Sequence, residues 1–292
     1  MRVAITGSSG LVGQAIVAKL HGRGDAVVPI RHGHGWDPLR GFDDPQALAG
    51  CDAVVHLAGE SIAGRWTEAR RTAIRDSRVL GTRHVVAAIA AADPSPRVLV
   101  CASAVGIFGD RGDEVLSDDA APGTGFLAEV ASAWEHEAAA ATAHGTRVVS
   151  LRLGIVLAAH GGALERMRPL FRSGLGGRLG DGKQWMSWIH LDDAASAYVR
   201  ALDDASMHGA YNLVAPDAVR NRDFTTALAQ TLHRPAWLPA PAFMLELALG
   251  DMGRELLLAS QRVQPDRLLA AGFKPRFASL QAALADVCAP QR

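Results

Sequence analysis

The sequence predicts an α/β fold: a doubly wound parallel sheet with a smaller, mainly helical region toward the C-terminus. Three observations predict it. Short continuous apolar runs alternate with segments of helical spacing through the first half of the chain. Such runs are strands buried on both faces, and a parallel sheet covered by helices provides that burial. Glycines cluster at Gly7, Gly10 and Gly13, between the first run and the first helical segment. Beyond about residue 157 the rhythm breaks into glycine-rich, tryptophan-bearing and helical stretches.

The elements follow in order. Val3–Ile5 is the first apolar run, and residues 11–22 space Leu11, Ala15, Val17 and Leu20 as a helix does. Ala26–Ile30 and Asp52–Leu57 are the next runs, followed by a long helical segment, Arg70–Ala92. Arg97–Ala102 and Arg147–Leu153 are further strands, separated by an Ala-rich helix over 125–143. Gly161-Gly162 opens a helix through Met167 and Phe171, and a glycine-rich stretch, Ser173–Gly182, follows. Gln184–Leu191 reads as one strand, with Gln184, Trp188 and His190 on one face. Asp192-Asp193 starts a helix to about Leu202, where carboxylates suit the helix N-terminus. Tyr211–Val214 is a late strand, and the chain is mostly helical from Arg222. Residues 1–160 are expected to form the dinucleotide-binding domain, with 191–215 returning to it. Residues 161–190 and 216–292 are expected on the substrate side.

The 292 residues, 49% of them hydrophobic, suffice for one large domain or two closely packed ones. The formal net charge of zero argues against a nucleic-acid partner, which draws a basic surplus. Apolar runs stop short of the roughly 18 residues of a membrane span, so no membrane partner is expected. Cys51, Cys101 and Cys288 lie far apart without a CxxC, which argues against a disulfide framework or a metal site and suits a reducing cytoplasm. Exposed helices leave a homo-oligomer open, though no heptad pattern demands one.

Thr6-Gly7-Ser8-Ser9-Gly10-Leu11-Val12-Gly13 is read as a phosphate loop. One glycine permits the turn, one lets backbone approach a pyrophosphate, and one lets helix and strand pack closely. The helix N-terminus then faces the anion. This is the Rossmann arrangement, and it makes Thr6, Gly7, Ser9, Gly10, Leu11, Val12 and Gly13 cofactor-binding candidates. Arg31 ends the second strand, where an acidic residue would select NAD. An arginine there suits the 2′-phosphate of NADP(H).

The chain resembles an extended short-chain dehydrogenase/reductase, and within that group the atypical epimerase-family subgroup with its own small helical C-terminal region. The resemblance is carried by Thr6–Gly13, Trp36-Asp37-Pro38, His56-Leu57-Ala58-Gly59-Glu60, Ser77–Thr82 and Ser103-Ala104-Val105-Gly106. It continues through Arg152–Leu157, Gly174–Gly177, Gly182-Lys183-Gln184, Trp188-Ile189-His190, Asp192-Asp193, Ala271-Gly272-Phe273 and Leu280–Val287. The resemblance implies that Leu57, Ala58 and Gly59 lie beside the cofactor, that Arg78 reaches one of its phosphates and that Val156 lines the nicotinamide side. For Arg78 a helix-surface role, and for Val156 plain core packing, remain open.

Most members of that group carry Tyr-x-x-x-Lys, in which lysine lowers the phenol pKa for proton transfer. This chain cannot supply it. Neither tyrosine, Tyr198 or Tyr211, has a lysine four residues on, and the corresponding pair is Phe126 and Val130. Ser103 remains at the end of the fifth strand, where ligands gather in such sheets. Glu60, beside the cofactor turn, and His190, able to titrate near neutrality, are the other catalytic candidates. A histidine before Asp192-Asp193 is better suited still to positioning the helix that follows it.

Two functions compete. One is an NADP(H)-dependent oxidoreductase or epimerase acting on a small carbonyl or sugar-nucleotide-like molecule without the dyad. The other is a non-catalytic NADP(H)-binding redox sensor, in which the phosphate loop persists and the dyad is lost.

Overall fold

The computed structural model describes residues 1–289. Its strands are β1 (Arg2–Thr6), β2 (Ala26–His32), β3 (Gly35–Asp37), β4 (Gly41–Phe42), β5 (Ala53–His56), β6 (Val98–Ala104) and β7 (Val115–Leu116). They continue as β8 (Arg147–Leu153), β9 (Ile155–Leu157), β10 (Trp185–Met186), β11 (Trp188–His190), β12 (Gly209–Leu213), β13 (Val219–Arg220) and β14 (Arg262–Val263). The helices are α1 (Leu11–Gly22), α2 (Glu68–Ala91), α3 (Phe126–Ala139), α4 (Gly162–Arg172) and α5 (Leu191–Asp203). Four more follow: α6 (Asn221–Thr231), α7 (Ala242–Leu249), α8 (Asp266–Ala270) and α9 (Leu280–Cys288).

Eight strands form the main sheet in the order β12-β8-β6-β5-β1-β2-β3-β4. All neighbours are parallel except the β3–β4 edge hairpin. The chain leaves β1 in both directions, toward β2 and toward β5. This reversal of winding opens a crevice at the C-terminal ends of β1 and β5.

The two-residue alternation of strand side chains splits the core. Val3, Ile5, Val55 and Val100 face Ile16 and Leu20 of α1 and Tyr198 and Leu202 of α5. Ala4, Val54, Leu99 and Cys101 face Val85 and Ile89 of α2 and Trp134 and Ala138 of α3. A third cluster joins Trp188 to Phe171, Phe224, Leu228, Phe277 and Leu284, away from the main sheet. This helical C-terminal core is what the late helical spacing predicts. Helix α7 buries none of its residues and exposes Phe243, Met244 and Leu247. Among the described residues no helix is long and apolar enough to cross a membrane.

Residues 184–191 differ from the single strand expected. The segment breaks at Ser187 into β10, which pairs with β13, and β11, which pairs with β9. The Ser187 hydroxyl donates to the Gln261 carbonyl and accepts the Val263 N–H, at 2.8 and 3.0 Å. Gln184, Trp188, Ile189 and His190 are all buried, so a two-faced alternation never arises.

Candidate cofactor cleft and active site

The glycine loop is built by close approach. Gly7 has φ of 69°, and its carbonyl accepts the Gly10 N–H at 3.0 Å. A Cβ on Gly13 would stand 2.2 Å from the Gly7 oxygen, and one on Gly7 would stand 2.9 Å from Ala58 N. Only hydrogen fits at either position. The first intrahelical bond of α1 runs from Gln14 N–H to Gly10 O, at 2.9 Å. The N–H groups of Leu11, Val12 and Gly13 precede it and point out of the helix end. No acidic side chain occupies that first turn, and Gly10 offers no side-chain cap. Ser9 is exposed on the loop, where its carbonyl accepts the Gln14 amide at 2.8 Å. Leu11 packs against Gly161 and Gly162 at the start of α4.

Thr6 joins the two crevice loops. Its hydroxyl oxygen accepts the Leu57 and Ala58 N–H groups at 3.2 and 3.3 Å. With both lone pairs used, its proton goes to His56 Nδ1, 2.6 Å away. That direction assigns the His56 proton to Nε2, a buried atom without a hydrogen-bond partner among the described residues. Complete burial, and then the nearby Arg78 charge, push the imidazole pKa down to about 4.

Arg78 lies behind this turn rather than on the surface of α2. Its guanidinium donates to the Glu60 and Ile74 carbonyls at 3.0 and 3.1 Å and rests over the Trp134 ring. A Cβ on Gly59 would stand 3.1 Å from the Arg78 guanidinium carbon, so the exposed glycine is a thin window over a buried cation. Burial pulls its pKa down to about 10, which leaves it charged at neutral pH. Arg31 stands one residue beyond the Thr6–Ile30 register pair, exposed at the end of β2. Among the described residues, neither Arg31 nor Arg78 has a carboxylate partner. Val156, half-buried in β9, pairs in register with Ile189, and its carbonyl lies near Gly162.

The catalytic candidates separate. Ser103 ends β6 beside Arg152 of β8 and donates to Glu135 Oε1 at 2.6 Å. Arg152 holds the same carboxylate with two bonds, Nε to Oε1 at 2.8 Å and Nη2 to Oε2 at 2.9 Å. Its third donor reaches the Asp118 carbonyl at 2.8 Å. Glu60 follows the Leu57–Gly59 turn, but its carboxylate pairs with Arg70 at 3.1 Å. His190 has both ring nitrogens occupied: Nδ1 accepts the Asp192 N–H at 3.1 Å, and Nε2 meets Asp286 at 3.2 Å. It caps α5, stacks on Phe277, and burial lowers its pKa despite Asp286.

Sequence reading missed Glu135. The signal was Arg152, a charge inside an apolar strand run, which requires a buried counter-charge. The dyad positions are sealed rather than vacant. Phe126 and Val130 are buried with Trp66, Ile74 and Met252. Glu255, from the C-terminal region, accepts the Leu127 N–H at 3.0 Å and so closes over the start of α3.

The sheet order, the crevice at the reversal point and the glycine loop define an extended short-chain dehydrogenase/reductase scaffold. The chain belongs to the NAD dependent epimerase/dehydratase family, whose pattern matches residues 3–213. Residues 240–287 match a domain of unknown function, DUF1731. The chain is 42% identical to an epimerase family protein of Mycobacterium bovis, Mb2239, over 93% of this chain and 92% of that one. It is 34% identical to the Homo sapiens epimerase family protein SDR39U1, covering 99% of this chain and 100% of that one. A crystal structure of human SDR39U1 with NADPH superposes with TM-score 0.87 at 31% identity, covering 98% and 99% of the two chains. The Thermus thermophilus UDP-glucose 4-epimerase, in complex with NAD, shares the fold with TM-score 0.75 at 20% identity, over 98% of this chain and 97% of that one.

Proposed function

We propose that this protein is an NADP(H)-dependent oxidoreductase or epimerase that works without a Tyr-x-x-x-Lys dyad on a small carbonyl or sugar-nucleotide-like substrate. One observation carries the reading: two arginines without carboxylate partners among the described residues flank a glycine loop that has no room for side chains at Gly7 and Gly13. Arg31 would hold the 2′-phosphate. Arg78, through the Gly59 window, would add positive potential beneath the diphosphate, which meets the free N–H groups of Leu11, Val12 and Gly13. Thr6, Gly7, Ser9 and Gly10 shape that loop, and Leu57, Ala58 and Val156 would flank the cofactor's far half. The NADPH held by human SDR39U1 supports the same choice. When bound, the cofactor supplies a hydride donor or acceptor at its nicotinamide ring.

Ser103 would contact the substrate oxygen, and Glu60 would stay a turn residue paired to Arg70. His190 is proposed as a helix cap rather than an acid or base. The test is NADPH consumption with a panel of carbonyls and nucleotide sugars. Substrate-dependent oxidation supports the reading; tight NADPH binding with no turnover of any compound rejects it. The second outcome would favour the redox sensor, a reading that the sealed Phe126–Val130 position also favours.

A further inference from the structure

Ser103 is 2% exposed, and its hydroxyl makes one bond, as donor to Glu135. Among the described residues no N–H or O–H donates to its oxygen, so two buried lone pairs have no protein partner. A hydroxyl so arranged welcomes a donor. Glu135 cannot turn away, because Arg152 grips both its oxygens while donating a third bond to the Asp118 carbonyl. The arginine also lies over the Phe108 ring, 5.3 Å from its centroid. Three elements therefore fix one polarity: β8 holds α3's carboxylate, and the carboxylate holds the proton of a serine on β6. Meanwhile Phe126 and Val130, where the dyad would stand, carry no proton.

We propose that Ser103 and Glu135, braced by Arg152, form the proton path that stands in for the missing dyad. The group presented to Ser103 is then a substrate hydroxyl, and the substrate class is a secondary alcohol with its matching ketone. This rests on the oxidoreductase reading above. In oxidation, the alcohol O–H bond breaks and its proton passes to Ser103 Oγ. The Ser103 proton passes in the same step to Glu135 Oε1. With NADP bound, the cofactor would accept the hydride of the carbinol carbon, and the C–O bond would become a carbonyl. Glu135 then releases its proton to water, its side chain being 16% exposed. Reduction retraces these steps, a proton from water passing through Glu135 and Ser103 to the substrate oxygen. Ser103 touches substrate; Glu135 is the terminal proton carrier, and Arg152 is a positioning residue.

The path has a signature without cofactor. A short, charge-assisted O–H···O bond, shielded from water, gives a proton resonance downfield of the amides. The cofactor-free protein should show it, and Ser103→Ala should lack it. Its absence from the wild type overturns the polarity argument. The kinetic test follows NADPH with a panel of aryl alkyl ketones, whose reduced products are secondary alcohols. Glu135→Gln should lower kcat about tenfold or more, with KM and NADPH affinity within about twofold. Ser103→Ala should do the same, and the double variant should be no worse, because both act in one path. Effects that multiply, or a loss of NADPH affinity in place of kcat, make Glu135 merely structural and overturn the proposal. Should Glu135→Gln fail to fold, Glu135→Met with Arg152→Met removes the pair without stranding a charge. It should fold and show the same loss of kcat; full turnover overturns the path. No turnover by wild type with NADPH bound overturns the oxidoreductase reading and this path together. Turnover unchanged in Glu135→Gln overturns the path alone.

Discussion

The Thr6 hydroxyl stands 2.6 Å from Nδ1 of a fully buried His56, and this bond ties the end of β1 to the end of β5. The two loops that form the crevice are thereby held by one neutral imidazole. Its pKa falls from 6.5 to about 4 in the folded chain. A histidine depressed in this way stabilises the fold above its unfolded pKa, because the unfolded chain binds the extra proton first. Stability is therefore lost as pH falls from 6.5 toward 4, by up to about 3 kcal/mol. Urea unfolding on either side of that window should show the loss in wild type and a smaller one in His56→Gln. Equal losses in the two proteins would remove His56 from this role.

Arg31 is paired through its backbone to β3, but among the described residues its side chain makes no hydrogen bond or ion pair, so its substitution should cost little stability. Arg31→Ala should weaken NADPH binding about 10- to 100-fold, the usual worth of a charged hydrogen-bonded contact, and leave NADH binding nearly unchanged. Parallel losses for both cofactors would show that it does not read the 2′-phosphate.

The glycines of the loop differ in what they tolerate. Gly13→Ala drives a Cβ to 2.2 Å from the Gly7 oxygen, whereas Gly10→Ala meets it at 3.3 Å. Gly13→Ala should destabilise the protein by about 1–3 kcal/mol and weaken cofactor binding. Gly10→Ala should perturb both less. Thermal melts with and without NADPH check the order, and a reversed order would mean that the loop is built differently.

Restoring the dyad should not restore its chemistry. Val130 is 3% exposed among Trp66, Ile74 and Met252, where the charge of a lysine would be stripped of water. Phe126→Tyr with Val130→Lys should lose at least about 2 kcal/mol of stability and gain no turnover. A stable variant with raised turnover would show that this corner opens to the cleft.

The main strands and the glycine turn were legible because each rests on local pattern. Val3–Ile5, Ala26–Ile30 and Arg147–Leu153 are apolar runs with one explanation, and Gly7 and Gly13 sit where a side chain has no room. What escaped depends on distant partners. Ser187 breaks the 184–191 run only because Gln261 and Val263 come to bind its hydroxyl. For Arg78 the sequence leaves a phosphate contact and a helix-surface role both open, because its burial depends on Trp134, which packs against it from another helix. Glu135 is one glutamate among several on α3, and only Arg152, across the sheet, selects it.

Arg31 at the end of β2 makes cofactor choice the most direct test. Titration of the purified protein with NADPH and with NADH, followed by nicotinamide fluorescence, measures it. NADPH should bind tightly, and NADH about tenfold more weakly or worse, because only NADPH carries a 2′-phosphate for Arg31 to hold. Equal affinity for the two, or no binding of either, would contradict it.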